Sequence, residues 1–340
     1  GGNHMQANLE RNKIGKKIGK VDRKQNLYMP IIVLSLMILA SSLLFLFMGI
    51  NKGSMDYALS KRIPRLIAII LTGGCIGFST IIFQTITDNR ILTPNVMGID
   101  SLYVAIQTML IFAFGSSSAF VSNKKINFLI CLVFMILGTS LLYKLIFKKD
   151  NANIIFVLLI GMICGTFFRS LSSFMQMVID PNEYLVLQNK LFASFNNVNV
   201  DILFLSIILV LLMIPFVWDD IKYYDVMSLG KDQAINLGVD YDKIMKKSFV
   251  IIAILIAIST SLVGPLTFLG ILVANITREM MKTYKHSYLI TVSILVSIFT
   301  LVFGQVLMER ILHLSTPVSV VINMIGGIYF MYLLYKESRI

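Results

Sequence analysis

Ten apolar runs, each close to the length that crosses a bilayer, dominate this chain of 340 residues. A spanning helix needs about 20 apolar residues to cross a hydrocarbon core of ~30 Å. Composition agrees, because 56% hydrophobic and 14% charged residues leave too little polar surface to coat a water-soluble globule of this length. We therefore predict an all-α polytopic membrane protein with about ten transmembrane helices. The predicted spans are 28–50, 64–86, 96–115, 126–147, 153–178, 200–218, 245–264, 267–281, 287–307 and 318–335.

The distribution of lysine and arginine predicts the orientation of the chain. Seven basic residues lie between Arg11 and Lys24, and the cytoplasmic segments of membrane proteins carry such an excess. We expect residues 1–27 to be a basic cytoplasmic tail, with a cloning remnant at 1–4, and residues 28–340 to form one transmembrane domain. Ten spans threaded from this tail place both termini in the cytoplasm. Orientation also explains the net charge of +12, so we do not expect nucleic acid to be a partner.

A charged island, residues 222–247, interrupts the apolar runs. Gly230 and Gly238 bracket a short helix predicted over Lys231–Leu237, since glycine commonly follows the end of a helix. A helix this short is not stable alone in water, so it needs a docking surface. Five lysines around it place that surface in the cytoplasm. We call residues 222–243 the coupling segment and expect it to bind a cytoplasmic partner that supplies force or a signal.

Three arginines remain on the outer side in this orientation, against the usual distribution of charge. Arg62 and Arg65 flank Ile63-Pro64 at the start of the second span, where the missing N–H of the proline costs little. Arg310 lies in the last outer loop. A fixed pair of guanidinium groups suits docking to carboxylates of an extracellular protein, because each group binds two oxygens. The alternative is contact with lipid phosphates at the membrane interface.

Few polar side chains lie inside the predicted spans. Gln84, Arg169, Gln176 and Asn275 are the candidates for a translocation path. Arg169 is the costliest of them to bury, and we expect it to face either a water-filled path or the carbonyls of neighbouring helices. Close helix packing is expected at small residues, namely Gly73, Gly74, Gly161, Gly165, Gly326 and Gly327.

Several chemistries are not expected of this chain. No span has a carboxylate at its centre, and no phosphate-binding loop follows a strand, so a proton- or sodium-coupled carrier is disfavoured and energy for transport comes from a partner. Cys75, Cys131 and Cys164 lie within apolar runs and are expected to be small buried hydrophobic residues. The three histidines are scattered. We therefore expect no metal site and no catalytic residue.

Three motifs occur in order along residues 55–336. The first is Arg62-Ile63-Pro64-Arg65, which matches Arg-x-Pro-Arg. The second runs from Leu229-Gly230 through Ala234 to Val239 and matches Leu-Gly-x-x-x-Ala-x-x-Leu-Gly-Val. The third, Gly264-Pro265-Leu266-Thr267-Phe268-Leu269-Gly270-Ile271, is similar to Gly-Pro-Ile-x-Phe-x-Gly-Leu. Together these motifs resemble the permease subunits of iron-siderophore and cobalamin (FecCD-type) ABC importers.

The resemblance implies a type II ABC importer permease fold that works as a homodimer or heterodimer. Two cytoplasmic ATPase subunits would bind ATP and Mg²⁺ and receive the coupling helices, whereas this chain would bind no cofactor. An extracellular binding protein would place glutamates against Arg62, Arg65 and Arg310. The residues that match the ATPase-coupling motif are Ser228, Leu229, Gly230, Lys231, Asp232, Ala234, Leu237 and Gly238.

Two stretches depart from the common family pattern, Asn89–Pro94 and Ala274–Arg278. Together with Asp180–Glu183 they resemble the catecholate branch of the family, which includes petrobactin systems. We therefore expect a permease of a bacterial cell membrane that takes up a ferric siderophore by alternating access. The alternatives are import of cobalamin or haem on the same machinery, or a membrane scaffold that docks a cytoplasmic protein and carries no solute.

Overall fold

The computed structural model describes residues 27–49, 55–146, 154–196, 198–312 and 316–337. The predicted tail, apart from residue 27, lies outside these ranges. Within them the regular structure is helical, with a 3₁₀ turn at Pro94–Met97 and a π turn at Leu307–Ile311. The α-helices are α1 (Tyr28–Phe47), α2 (Met55–Ile86), α3 (Ile99–Phe114), α4 (Ala119–Ser122), α5 (Lys124–Ile146), α6 (Ile154–Val178), α7 (Pro181–Leu191), α8 (Val200–Trp218), α9 (Ile221–Met227), α10 (Lys231–Asn236), α11 (Tyr241–Val263), α12 (Leu269–Met280), α13 (His286–Val306) and α14 (Val318–Glu337).

Each of the ten predicted spans contains a helix, which confirms the all-α expectation. The largest difference is at α2, which begins at Met55 and not at residue 64. Pro64 therefore lies inside this helix, and the expectation that it opens the span is wrong. Because α2 has 32 residues, it is about 48 Å long at a rise of 1.5 Å per residue. This length exceeds a hydrocarbon core of ~30 Å, so α2 extends beyond the core.

Six helical segments of the described residues are long and apolar enough to cross a membrane. They are α1, α2, α8, α11, Lys124–Leu142 and His286–Ile311. Two further apolar segments, α3 and Val318–Leu333, are shorter. Large apolar side chains on these helices stay exposed, as on α14, where Met331 is 68% exposed. Such a surface suits lipid and not water, because contact with lipid chains keeps the apolar side chains away from water.

Residues 184–198 are amphipathic in sequence, and α7 covers only the first part of this stretch. Helix α7 begins earlier, at Pro181, because Asp180 caps it by accepting a hydrogen bond from the Asn182 backbone N–H. The helix ends at Leu191, and the described residues 192–196, 198 and 199 have no regular structure.

Helices α2 and α13 cross with their backbones in contact at the centre of the bundle. A Cβ added to Gly77 would lie 2.7 Å from the Ser293 carbonyl oxygen, and one added to Gly73 would lie 3.1 Å from the Ile298 Cα. The Ser293 hydroxyl donates to the Gly77 carbonyl at 2.8 Å. Small residues therefore allow this close approach, as they do in many membrane helix pairs.

The predicted close-packing glycines are only partly in tight contacts. Gly73, Gly165 and Gly326 face neighbouring residues so closely that an added Cβ would clash or be crowded, whereas Gly74 and Gly327 have no atom within 4 Å of that position. Gly161 takes part through its carbonyl oxygen, which lies 3.2 Å from the Cβ position of Gly98. A glycine pair in the sequence therefore marks a crossing, but only one member of the pair faces it.

The chain breaks at Gly264-Pro265, between α11 and α12. Helix α11 ends at Val263, and Gly264 has φ of +103°, a value that favours glycine. A Cβ at Gly264 would lie 2.8 Å from the Cα of Ala193, so the segment after α7 packs directly on this break. The chain resumes as the short helix α12 at Leu269.

Candidate docking sites and polar path

Helix α10 is exposed at the end of the bundle where α2 stops, which we call the coupling end. It is six residues long, one shorter than predicted, and Gly238 follows it in the left-handed region with φ of +84°. Ala234 is fully buried and holds the helix on the bundle. The apolar side chains of Leu229, Ile235 and Leu237 are about half exposed or more, at 52%, 49% and 64%.

Helix α9 precedes α10 and is anchored to α11 by two polar contacts. The Tyr224 and Ser248 hydroxyl groups are hydrogen-bonded at 2.8 Å, and the Lys247 ammonium lies 2.8 Å from a carboxylate oxygen of Asp220. Burial raises the pKa of Tyr224 to about 12, so its hydroxyl stays protonated at physiological pH. Helix α10 therefore rests on an anchored support.

The other end of the bundle, where α2 begins, collects the three predicted arginines; we call this set, with Glu309, the arginine face. Arg62 is buried, and its Nη1 donates to the carbonyl oxygens of Phe45, Leu46 and Met48 at 3.3, 2.6 and 3.0 Å. These carbonyls belong to the last turn of α1, where intrahelical partners are missing. Arg62 is thus a cap for α1, with little surface left for a partner protein.

Arg65 and Arg310 are more accessible than Arg62. The Arg65 guanidinium donates to the Asn196 carbonyl at 2.9 Å and lies 3.6 Å from Glu309. Arg310 lies in the π turn after α13, close enough to Arg62 for the two charges to repel. π turns in helices frequently occur at functional positions. The three predicted arginines therefore lie together in the arginine face, but Arg62 caps α1 whereas Arg65 and Arg310 are more accessible.

A polar cavity of about 670 Å³ opens beside the arginine face. Its basic lining residues are Lys61, Arg65 and Lys124, and amide groups of Asn196 and Asn199 complete its polar wall. Fixed cations next to amide donors suit a carboxylate, because each oxygen can accept more than one hydrogen bond.

The four residues predicted for a translocation path have four different environments. The Gln84 amide donates to the Arg90 carbonyl at 2.5 Å and accepts from Arg278 at 3.2 Å. Gln176 donates to the Thr108 hydroxyl at 3.3 Å, whereas Asn275 bonds the Ile271 carbonyl of its own helix at 2.8 Å. These contacts place Gln84 in a polar cluster at the coupling end. The Asn275 bond stays within its own helix.

Arg169, the fourth candidate, is exposed on α6. It lies within electrostatic range of Asp100, a carboxylate in the first turn of α3. One Asp100 oxygen accepts from the Thr267 hydroxyl at 2.8 Å, and the other is buried without a hydrogen-bond partner. Sequence reasoning passed over Asp100 because it lies near the end of its span. A carboxylate inside an otherwise apolar run was the available signal.

Sequence reasoning also missed a polar contact chain at the coupling end, formed by Thr85, Asp225 and His286. His286 is 2% exposed and contacts both of the others. The histidine was treated as an isolated loop residue, since its partners lie 61 and 201 positions away along the chain. Among the described residues, no group of three or more His, Cys, Asp or Glu side chains is arranged to hold a metal ion.

These features define a class of protein: an all-α membrane bundle with an exposed short helix at one end and a basic surface at the other. A solved chain of a metal-chelate type ABC transporter in an inward-facing conformation superposes with a TM-score of 0.79, covering 92% of this chain and 100% of that one at 21% identity. The chain therefore has the type II ABC importer permease fold.

The family follows from the sequence comparisons. A profile of the FecCD transport family matches residues 27–336, and the chain belongs to this family. It is 55% identical over 294 residues to the petrobactin import system permease protein YclO of Bacillus subtilis strain 168, covering 86% of this chain and 93% of that one. It is 34% identical over 291 residues to the petrobactin import system permease protein FatC of Bacillus anthracis, with 86% and 82% covered.

Proposed function

We propose that this chain is the membrane-spanning subunit of an ATP-driven importer of a ferric siderophore of the catecholate type. The observation that carries the proposal is the exposed helix α10 at one end of a FecCD-family permease fold. The cargo is inferred from the two petrobactin permeases to which the chain is similar. Transport would proceed by alternating access, and this chain itself would catalyse no reaction.

The coupling end is proposed to bind two cytoplasmic ATPase subunits, which hold ATP and Mg²⁺. The coupling segment offers the apolar side chains of Leu229, Ile235 and Leu237 and the charged Lys231 and Asp232, beside a supporting helix α9 that is held by buried Tyr224 and Met227. Exposed leucines next to charged residues suit insertion into a cleft of a partner, where burial of each leucine contributes ~1.5–3 kcal/mol. Closure of the ATPases would then displace α10.

The arginine face is proposed to receive an extracellular binding protein. In this proposal Arg65 and the cavity with Lys61 and Lys124 meet acidic side chains of the partner. Glu309 already lies 3.6 Å from Arg65, so a docking carboxylate would share this arginine with it. Arg62 contributes indirectly, because its three bonds to α1 hold the segment that surrounds the other arginines.

A second permease subunit, identical or related, is proposed to cover α6 and α14. Large apolar residues of both helices are exposed, and Arg169 is exposed among them on α6. An arginine facing lipid near the middle of a span costs at least ~2.5–3.5 kcal/mol. A water-filled path between two subunits removes most of this cost, which favours Arg169 as a path residue.

The lysine and arginine distribution supports a bacterial cell membrane location with both termini in the cytoplasm. This orientation places the coupling end inside and the arginine face outside. The coupling end then faces the ATPase subunits, and the arginine face faces the extracellular binding protein.

The function is tested by uptake of radiolabelled ferric catecholate siderophore into cells that carry the complete system. A variant with Leu237→Ser should lose most ATPase co-purification and uptake, because it removes a leucine that is 64% exposed directly after α10. Leu185→Ser is the matched control, since Leu185 is 63% exposed but lies on α7. It should retain the ATPase. Absence of uptake with the unaltered chain would overturn the cargo, and equal ATPase retention in both variants would overturn the coupling role.

A further inference from the structure

Three side chains from three helices form a continuous polar contact chain at the coupling end. A carboxylate oxygen of Asp225 accepts from the His286 backbone N–H at 2.6 Å and lies 2.8 Å from the His286 Nδ1. The opposite ring nitrogen, Nε2, lies 2.8 Å from the Thr85 hydroxyl. Asp225 belongs to α9, His286 begins α13, and Thr85 lies in the last turn of α2. The contacts therefore link the support of the docking helix to the two helices at the centre of the bundle.

The chemistry of each group determines how the protons are arranged. An ionised Asp225 accepts only, so the His286 Nδ1 must donate to it. The Thr85 hydroxyl has one proton, which it gives either to Nε2 of a neutral ring or to the Ile81 carbonyl at 2.9 Å. In the second case a protonated ring donates to the hydroxyl oxygen. All three contacts persist in both arrangements, so the link does not depend on one protonation state.

The link has a favourable position for transmitting motion. On its inner side, α2 and α13 are held together where Gly77 meets Ser293, so a displacement of one helix carries the other. On its outer side, Asp225 is separated from α10 by only the end of α9 and a short turn. The contacts of Tyr224 and Asp220 lead from α9 to α11 instead.

We infer that Asp225, His286 and Thr85 form a coupling relay that transmits displacement of α10 to α2 and α13. His286 is a positioning residue in this relay and does not touch the cargo. The inference rests on the proposed function, since it assumes that an ATPase moves α10. Buried hydrogen bonds suit this task, because they hold a fixed length, whereas apolar contacts allow side chains to slide.

The test compares Thr85→Val with Thr87→Val in complexes reconstituted in liposomes with the ATPase and the binding protein. Both threonines are buried in or next to the last turn of α2, and each hydroxyl lies within hydrogen-bond distance of a carbonyl one turn earlier, at 2.9 and 2.7 Å. Of the two hydroxyl groups, only that of Thr85 is also hydrogen-bonded to another helix. We expect Thr85→Val to import about fivefold fewer siderophore molecules per ATP hydrolysed, as loss of one buried hydrogen bond implies. Thr87→Val should remain near the unaltered protein.

A second variant separates transmission from stability. His286→Asn keeps a donor next to Asp225 but is too short to reach Thr85, so it should reduce the import ratio by the same factor. Combining it with Thr85→Val should cause no further loss, because both changes break one link. A role in stability alone would instead lower the melting temperature in each variant and leave the import ratio unchanged.

The outcomes distinguish the relay from the function on which it rests. Equal import ratios for Thr85→Val and Thr87→Val would overturn the relay. If the unaltered complex imports no ferric catecholate, the cargo is wrong, and the relay is then judged by the factor by which the binding protein stimulates ATP hydrolysis. Thr85→Val should reduce that factor about fivefold relative to Thr87→Val, and an unchanged factor would refute the relay whatever solute is carried.

Discussion

The crossing of α2 and α13 leads to a prediction whose size follows from the coordinates. In Gly77→Ala the new methyl group would lie 2.7 Å from the Ser293 carbonyl oxygen and 2.9 Å from the Ile294 Cα. Ordinary van der Waals contact begins at 3.4 Å, so α13 must move away by about 0.7 Å, the difference between 3.4 and 2.7 Å. Both contacting atoms belong to the backbone, and no side-chain rotation relieves them.

Overpacking of this kind destabilises by about 1–3 kcal/mol. The same displacement lengthens the bond from Ser293 to the Gly77 carbonyl, now 2.8 Å, at a further cost of up to ~1 kcal/mol. Gly74→Ala is the matched control on the same helix, since no atom lies within 4 Å of its Cβ position. It should gain up to ~1 kcal/mol, because alanine is the better helix former.

The assay is the apparent melting temperature of the two variants, purified in detergent under identical conditions. The middle of these ranges is a total difference of about 3 kcal/mol. At ~2–4 °C per kcal/mol, Gly77→Ala should melt roughly 6–12 °C below Gly74→Ala. Equal melting temperatures would mean that α2 and α13 do not cross in backbone contact. Displacement of one of the two helices would then not be expected to carry the other.

Two further predictions concern residues with unusual surroundings. Arg62→Ala should speed hydrogen exchange at residues 46–49 at least tenfold, because three hydrogen bonds from Arg62 cap α1 and a charge-assisted hydrogen bond contributes about 1.5–3 kcal/mol. Arg62→Lys should restore the protection only partly. Unchanged exchange in Arg62→Ala would contradict the capping role. Gly98→Ala should lower the melting temperature more than Gly230→Ala. Both glycines have positive φ, but only at Gly98 would an added Cβ lie 2.6 Å from another backbone atom, the Gly165 Cα. The reverse order of the two melting temperatures would rule out this close approach.

The helices and their order could be predicted from the sequence because each depends on local composition. Ten apolar runs predicted ten helices, and two glycines located α10 to within one residue. The start of α2 was missed by nine residues, 64 minus 55, because Met55–Ile63 is mixed in polarity and Pro64 resembles a first-turn proline. Helix ends depend on tertiary contacts, and here Arg62 binds the preceding helix from inside α2.

The candidate sites were only partly predictable. Charge against the expected orientation singled out Arg62, Arg65 and Arg310, which do lie together in the fold. The sequence did not show that Arg62 is buried whereas Arg65 and Arg310 are accessible, because burial of Arg62 depends on where α1 ends. The path candidates were chosen by polarity alone, and polarity does not reveal which residues of different helices meet.

The sequence by itself determined that this chain is a membrane protein, that the described part of each of ten apolar runs contains a helix, and which family the chain belongs to. These properties follow from hydrophobic run length, lysine and arginine placement, and motifs of contiguous residues. Only the tertiary structure decided that Gly77 rather than Gly74 faces α13, that Arg62 is a cap, and that Thr85, Asp225 and His286 meet. The physical reason is that hydrophobicity acts on each segment separately, whereas a hydrogen bond or a backbone contact depends on the positions of two segments far apart in the chain.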